Sequence, residues 1–183
     1  MHELQFILSE RKNTLDSFMT ELLISEIKET DAIFLNSNTV LNMGLSNAFL
    51  KRFDSFTGNF IYTIELENQG KTDLIKKSFE TFHRSNRLLS NTAKRHTSIF
   101  NKTNSKILYV GVKCNRIKNR IKQHLGYGPS KSTALHLSHW IPKNVILKLE
   151  VYKIDSSNEE YLKFLEKGFW DTLQPMFGKR KVV

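Results

Sequence analysis

The chain has 183 residues, of which 28 are Lys or Arg and 18 are Asp or Glu, so its formal net charge is +10 at pH 7. This length suits one domain with an extension, and the charge favours a polyanionic partner, with nucleic acid ahead of an anionic membrane surface. The single cysteine excludes a disulfide framework and a cysteine-based zinc site, and no apolar run is long enough to span a bilayer. Because the N-terminus also lacks the pattern of a signal peptide, we expect a cytoplasmic protein with no membrane partner.

Residues 1–56 are predicted to form a helical extension that packs on the rest of the chain. Apolar residues recur at helical spacing from residue 3 to about residue 29, and a second short helix is expected through Leu45, Phe49 and Leu50. This segment contains no candidate catalytic or ligand-binding residue. We therefore place the functional domain at residues 57–183.

Three later segments have the pattern of β-strands. Apolar residues alternate with other residues from Phe60 to Leu66, and residues 107–112 form a short run rich in β-branched and aromatic side chains. Residues 145–154 alternate again. These segments predict an α/β fold of the α+β kind, in which helices flank a small antiparallel sheet of three strands.

A long insertion, residues 68–106, separates the first two strands. Residues 72–92 have the apolar pattern of a helix, and a polar, basic loop or short helix is expected to follow them. Between residues 71 and 122 there are fourteen Lys or Arg but only two acidic residues. This concentration predicts a binding face, so we assign substrate contacts to Lys71, Lys94 and Arg95 within the insertion.

A basic helix is predicted after the second strand, because Ile117, Ile121 and Leu125 recur at a spacing of four. Arg120 and His124 are also four residues apart, so both project from one face of this helix and could serve a phosphate group. A solvated basic face would have the same pattern.

The last predicted helix contains Glu166 beside its apolar stripe. A carboxylate in that position is costly unless it has a partner, which could be a metal ion or a neighbouring lysine, Lys163 or Lys167.

Taken together and in this order, these residues resemble the GIY-YIG nucleases. Ile61-Tyr62 matches the first half of the family motif and Tyr109-Val110-Gly111 the second, while Arg120, His124 and Glu166 match its later positions. The resemblance runs from Gly58 to Gly178, apart from the insertion. The first tripeptide departs from the family pattern because it is Phe-Ile-Tyr, and 47 positions separate Tyr62 from Tyr109. Long insertions of this kind are a feature of some restriction endonucleases in the family, which use them to grip DNA.

The resemblance implies a catalytic role for each of these residues, and the chemistry of the side chains allows these roles. Glu166 would hold one Mg²⁺ or Mn²⁺, and Arg120 would bind the scissile phosphate through two hydrogen bonds. Either Tyr62 or Tyr109 could act as general base, and the resemblance favours Tyr62, with Tyr109 orienting it or the water. His124 would relay a proton or contact the phosphate.

Further substrate contacts are expected from Gly111, Arg116 and His136, of which His136 resembles a downstream histidine of the family and His139 is an alternative. Each of these residues also has a plain structural interpretation. The two tyrosines could fill the core of the sheet, and His124 could be bonded locally.

The sequence therefore predicts a metal-dependent endonuclease that hydrolyses phosphodiester bonds in double-stranded DNA, most like a restriction enzyme. Cutting both strands favours a homodimer. One alternative is a nucleic-acid-binding protein without catalysis, in which aromatic and basic side chains stack on bases and contact phosphates. Another is a nuclease of the same family that acts in repair or in a mobile element.

Overall fold

The computed structural model describes residues 9–17, 19–20, 27–29, 32–91 and 93–180. Helix α1 is observed at residues 9–17 and 19–20, and strand β1 spans Ile27–Glu29. The expected helix from residue 3 to about 29 is thus confirmed at residues 9–17 and 19–20 and wrong at residues 27–29, and its remaining residues lie outside the described ones. Residues 27–29 form a strand because they pair with residues 152–154 of a later strand. The backbone N–H and C=O groups at the edge of that strand need hydrogen-bond partners.

The described residues form one sheet of five antiparallel strands. Strands β2 (Ile33–Asn36), β3 (Asn59–Leu66), β4 (Ile107–Cys114) and β5 (Ile146–Ile154) follow β1 along the chain. β3 lies between β4 and β5, while β1 and β2 both pair with the outer edge of β5, β1 at residues 152–154 and β2 at residues 146–149. The sheet is therefore four positions wide.

A mixed α/β fold with an antiparallel sheet and flanking helices is confirmed, and the three predicted strands are present as β3, β4 and β5. A sheet of only three strands is wrong, because the N-terminal segment contributes two short strands to it. That segment also shares the main hydrophobic core through Leu35, Val40 and Leu50.

The helices after α1 are short to medium in length. They are α2 (Ser37–Leu41), α3 (Met43–Leu50), α4 (Thr72–Arg87), α5 (Ile117–Leu125) and α6 (Glu159–Leu173), with 3₁₀ turns at Lys51–Phe53, Gln69–Lys71 and Leu137–His139. Within the described ranges, no helix is both long enough and apolar enough to cross a bilayer.

Helices α5 and α6 lie on opposite faces of the sheet. Tyr62 belongs to the large core cluster together with Ile117 and Ile121 of α5. Its neighbour Ile61 belongs to a second cluster with Leu162 and other residues of α6. Because successive side chains of a strand point to opposite faces, these two memberships place the two helices on opposite sides of β3.

The insertion between β3 and β4 is fastened to the core. Its helix α4 places Phe79 against Phe177, with ring centroids 4.6 Å apart, and against Trp140 at 5.3 Å. Farther along, Asn101 Nδ2 donates hydrogen bonds to the carbonyl oxygens of Pro175 and Gly178. The predicted helix and the irregular stretch after it are both observed, with the helix ending at Arg87.

Candidate functional site

The pairing of β3 with β4 brings Tyr62 and Tyr109 together. Tyr62 lies opposite Gly111, and Ile64 lies opposite Tyr109, so both tyrosines stand on the face of the sheet that carries α5. Their rings are nearly parallel, with centroids 6.1 Å apart. The two aromatic strands of the sequence therefore deliver their phenols to one place.

Gly111 provides the space in which these two rings approach each other. A Cβ atom at this position would lie 2.6 Å from the hydroxyl oxygen of Tyr62 and 2.7 Å from Cε1 of Tyr109. Real Cβ atoms do not approach other atoms so closely, so any other residue would displace a tyrosine. Gly111 thus has a steric role beneath the rings, where substrate contact was expected.

Arg120 on α5 bridges the two phenols. Its Nε donates a hydrogen bond to the Tyr62 hydroxyl at 3.2 Å, and its Nη2 donates to the Tyr109 hydroxyl at 3.0 Å. Its Nη1 donates to the Oε1 atom of Gln123 at 3.0 Å. These bonds use three of the five N–H groups of the guanidinium and leave one on each of Nη1 and Nη2.

His124 is completely buried beside Tyr62. Its Nδ1 accepts a hydrogen bond from the backbone N–H of Leu135 at 3.3 Å, and its Nε2 lies 3.0 Å from the Tyr62 hydroxyl. Burial, and then the charge of Arg120, hold the pKa of His124 well below its usual value, so the ring is neutral. Since Nδ1 accepts, the one ring proton is on Nε2 and points to Tyr62. Direct contact of His124 with a phosphate, as expected from the sequence, conflicts with this burial.

Tyr62 is also completely buried. Burial raises the pKa of its phenol far above the ordinary value; Tyr109 acts in the same direction, and Arg120 opposes it. The oxygen accepts N–H groups from both Arg120 and His124. Tyr62 is therefore a neutral phenol in the interior.

A polar groove of about 480 Å³ opens next to Arg120, at the outer edge of β4. It is lined by Tyr109, Val112, Lys113, Arg116, Asn119, Arg120, Gln123 and Glu166. α5 supplies its residues from one face of the sheet, and α6 supplies Glu166 from the other, so the groove forms where both helices pass the edge strand. Three cations and one carboxylate line it, a composition that fits a polyanion.

Glu166 is the one carboxylate that lines this groove. In the part of the chain that the structure describes, no cluster of three or more His, Cys, Asp or Glu is arranged to hold a metal ion. Mg²⁺ is commonly held by one or two carboxylates together with water and substrate phosphates. A single glutamate in the lining of this groove therefore fits Mg²⁺ or Mn²⁺ only when substrate supplies the other ligands.

The other predicted contact residues are dispersed. Arg116 lines the groove, but Lys71 lies beyond the end of β3 in a separate small cavity with Asn68. Lys94 and Arg95 follow α4 along the chain and do not line the groove. An excess of basic charge in a stretch of sequence does not specify where each side chain lies, so substrate contact by Lys71, Lys94 and Arg95 stays a prediction.

His136 is also outside the groove. It is fully buried, and its Nε2 lies 2.8 Å from the carbonyl oxygen of Ser132, within the loop that follows α5. His139 likewise faces the backbone of this region, with Nε2 3.4 Å from the Gly126 carbonyl oxygen. Neither histidine lines the groove, and substrate contact by either stays a prediction.

Sequence reasoning missed Gln123 and Lys113. Gln123 is three residues after Arg120 on α5, a spacing at which helical side chains meet, so the contact could have been found. Gly128 supports it from the following loop, because a Cβ atom there would lie 2.6 Å from Gln123 Cγ. Lys113 follows Tyr109 and Gly111 in the alternation of β4 and so shares their face.

No protein-family model, curated protein or solved structure matches the chain. The resemblance to GIY-YIG nucleases therefore stays a prediction. Support for a function comes from the residues that line the groove and from the hydrogen bonds around Arg120.

Proposed function

We propose that this protein is a metal-dependent endonuclease that hydrolyses phosphodiester bonds in double-stranded DNA, a GIY-YIG-type enzyme of the restriction class. The observation that carries the proposal is the position of Arg120. Its guanidinium joins two phenols and borders a basic groove that Glu166 also lines. Four elements of the fold, β3, β4, α5 and α6, contribute residues to this arrangement.

Arg120 is suited to hold the scissile phosphate. The N–H groups left on Nη1 and Nη2 belong to the end of the guanidinium, where two parallel hydrogen bonds to phosphate oxygens are possible. The bonds to Tyr62, Tyr109 and Gln123 prevent this end from rotating. A positive charge held in place before the substrate arrives stabilises the extra negative charge of the transition state without reorganisation.

We assign to Tyr109 the role of general base, which removes a proton from the attacking water. A general base must come within hydrogen-bond distance of the proton it removes, and Tyr109 lines the groove whereas Tyr62 does not. The resemblance favours Tyr62 as base, but its complete burial places it behind Arg120. In this scheme Tyr62 positions Arg120, and His124 positions Tyr62.

Glu166 would hold the divalent cation at the mouth of the groove. When bound, Mg²⁺ or Mn²⁺ supplies charge neutralisation on the phosphate and an activated water. Lys113 and Arg116 would contact neighbouring phosphates along the strand. Two cuts in a duplex need two such sites, so we propose a homodimer as the active form.

The test is cleavage of supercoiled plasmid by the wild type, Glu166→Ala and Arg120→Ala, each with Mg²⁺ and with EDTA. We expect both variants to bind DNA but to cut at least about a hundredfold more slowly, as when one electrostatic stabiliser is lost. Glu160→Ala is the matched control, because it removes an exposed carboxylate from the first turn of the same helix. Full activity in either site variant, or nicking that persists in EDTA, contradicts the proposal.

The same experiment separates the second candidate, a nucleic-acid-binding protein without catalysis. The burial of Tyr62 and the complete bonding of His124 favour this candidate, because both are also properties of a structural core. DNA binding with no metal-dependent nicking by the wild type would support it. Preference for nicked or branched DNA over plain duplex would instead favour a repair or mobile-element nuclease.

A further inference from the structure

A second basic cavity lies on the other side of the loop that follows α5. It has a volume of about 520 Å³, and its lining includes Arg95, Lys122, Gly126, Tyr127, Ser138 and His139. Gly128 also lines this cavity and packs on Gln123, which lines the groove. Lys122 and Arg120 are two residues apart on α5 and therefore project from different sides of the helix.

Arg95 supplies a charge that no carboxylate in this cavity neutralises. None of the residues that line the cavity is acidic. The Nη1 atom of Arg95 is buried and has no hydrogen-bond partner among the described residues. Buried polar groups are nearly always paired, and Arg95 is one of the residues that line this cavity, so an anion bound there would give its guanidinium the partner that the described residues do not supply.

The backbone of Arg95 is held in place. Its N–H donates to Oδ1 of Asn86 at 2.9 Å, and Nδ2 of Asn86 donates to its carbonyl oxygen, also at 2.9 Å. Asn86 itself is only 3% exposed. A clamped backbone lowers the ordering cost of binding at this side chain, as expected of a built site rather than a surface cation.

His139 stands beside this charge. Burial, and then the positive charge of Arg95, lower the pKa of His139. An anion bound between the two would reverse the second effect, because it would favour the protonated imidazole. His139 can therefore report on what enters the cavity.

We propose that this cavity is a second phosphate-binding site, occupied by a backbone phosphate of the nucleic acid strand whose scissile phosphate lies in the groove. The ligand has no base-specific contact here. Arg95 is the main ligand, Lys122 adds charge at the rim, and the strand passes over the Gly126–Gly128 loop between the two sites. The identity of the strand as the cleaved one rests on the proposed nuclease function; the phosphate site does not.

The first test measures binding of a labelled duplex of about 20 base pairs in EDTA over a series of salt concentrations. Arg95→Gln is expected to weaken binding about tenfold and to reduce the salt slope by about 0.9, the value for one lost phosphate contact. Arg52→Gln removes one exposed cation that lines neither space, so we expect it to leave the slope unchanged. Arg95→Lys keeps the charge and should keep the slope, which separates lost contact from damaged folding.

The second test follows the imidazole of His139 by NMR, with inorganic phosphate or with the duplex. We expect the duplex to raise the pKa of His139 in the wild type but not in Arg95→Gln. If the pKa of His139 responds to inorganic phosphate but not to the duplex, the assignment to a nucleic acid strand is wrong, since the cavity then binds only a free anion. An unchanged His139 with both ligands overturns the site itself.

Both tests are run without metal and measure no cleavage. If Arg95→Gln changes DNA binding and the His139 response as expected but the wild type never nicks DNA, the phosphate site stands and the nuclease proposal is wrong. If the wild type nicks DNA but Arg95→Gln binds DNA as tightly as the wild type, the nuclease proposal stands and the second phosphate site is wrong.

Discussion

Gly111→Ala is the most direct perturbation of the site, since one methyl group meets both phenols. The added Cβ would lie 2.6 Å from the Tyr62 hydroxyl and 2.8 Å from Tyr62 Cζ, as well as 2.7 Å from Tyr109 Cε1. Neither ring can retreat easily: Tyr62 has no exposed surface, and Arg120 bonds to both hydroxyls.

The cost can be estimated from two contributions. Overpacking a well-filled interior typically costs about 1–3 kcal/mol. Displacing Tyr62 also weakens its bonds to Arg120 and His124, at about 1 kcal/mol each. We therefore expect the free energy of unfolding to fall by about 3–5 kcal/mol, which is a large part of the total for most domains.

Gly168→Ala is the matched control, because nothing lies within 4 Å of a Cβ atom at that position in α6. There we expect a gain of about 0.5–1 kcal/mol, since alanine is the better helix former. Urea unfolding of the two variants and the wild type measures both effects, and plasmid nicking reports on the site. The reasoning about Gly111 is refuted if Gly111→Ala is as stable and as active as the wild type.

Three further predictions concern other parts of the structure. Gln123→Met removes the acceptor for Arg120 Nη1 and should lower the single-turnover cleavage rate about tenfold with unchanged DNA binding. Gln123→Glu keeps an acceptor oxygen and should cleave at the wild-type rate. Equal rates for the two variants would contradict a positioning role for Gln123. Stability should fall as the pH is lowered from about 6.5 towards 5, because the unfolded chain takes up a proton that neutral His124 refuses; the slope contributed is up to about 1.4 kcal/mol per pH unit, and His124→Asn should flatten it in urea titrations. Asn158→Ala removes the cap that accepts from Glu160 N and Tyr161 N, so α6 should lose about 1 kcal/mol by urea unfolding; no loss would show that the cap is dispensable.

Several local features of the sequence were sufficient to locate elements and side chains. Alternation from Phe60 to Leu66 marked β3, and the four-residue spacing of Arg120 and His124 correctly placed both on one face of α5. Both are periodic signals, which depend only on the geometry of the strand or helix itself. Basic charge without periodicity was a weaker guide, because Arg116 lines the groove whereas Lys71 and Lys94 do not.

The N-terminal segment shows where local patterns stop being informative. Residues 27–29 continued a helical apolar pattern, yet they pair with β5. A short segment of this kind adopts the conformation that its neighbour requires, because the open edge of β5 has N–H and C=O groups to satisfy.

The order of residue types along the chain thus determined the three main strands, the basic helix and the set of side chains from which a site could be built. Only the folded arrangement decided that Tyr109 borders the groove while Tyr62 is enclosed, that Gln123 holds Arg120, and that Arg95 enters a different cavity. The physical reason is that exposure and partnership depend on contacts between residues far apart in sequence. Tyr62, Tyr109 and Glu166 come from three separate elements, and no periodicity within one element records how near another will lie.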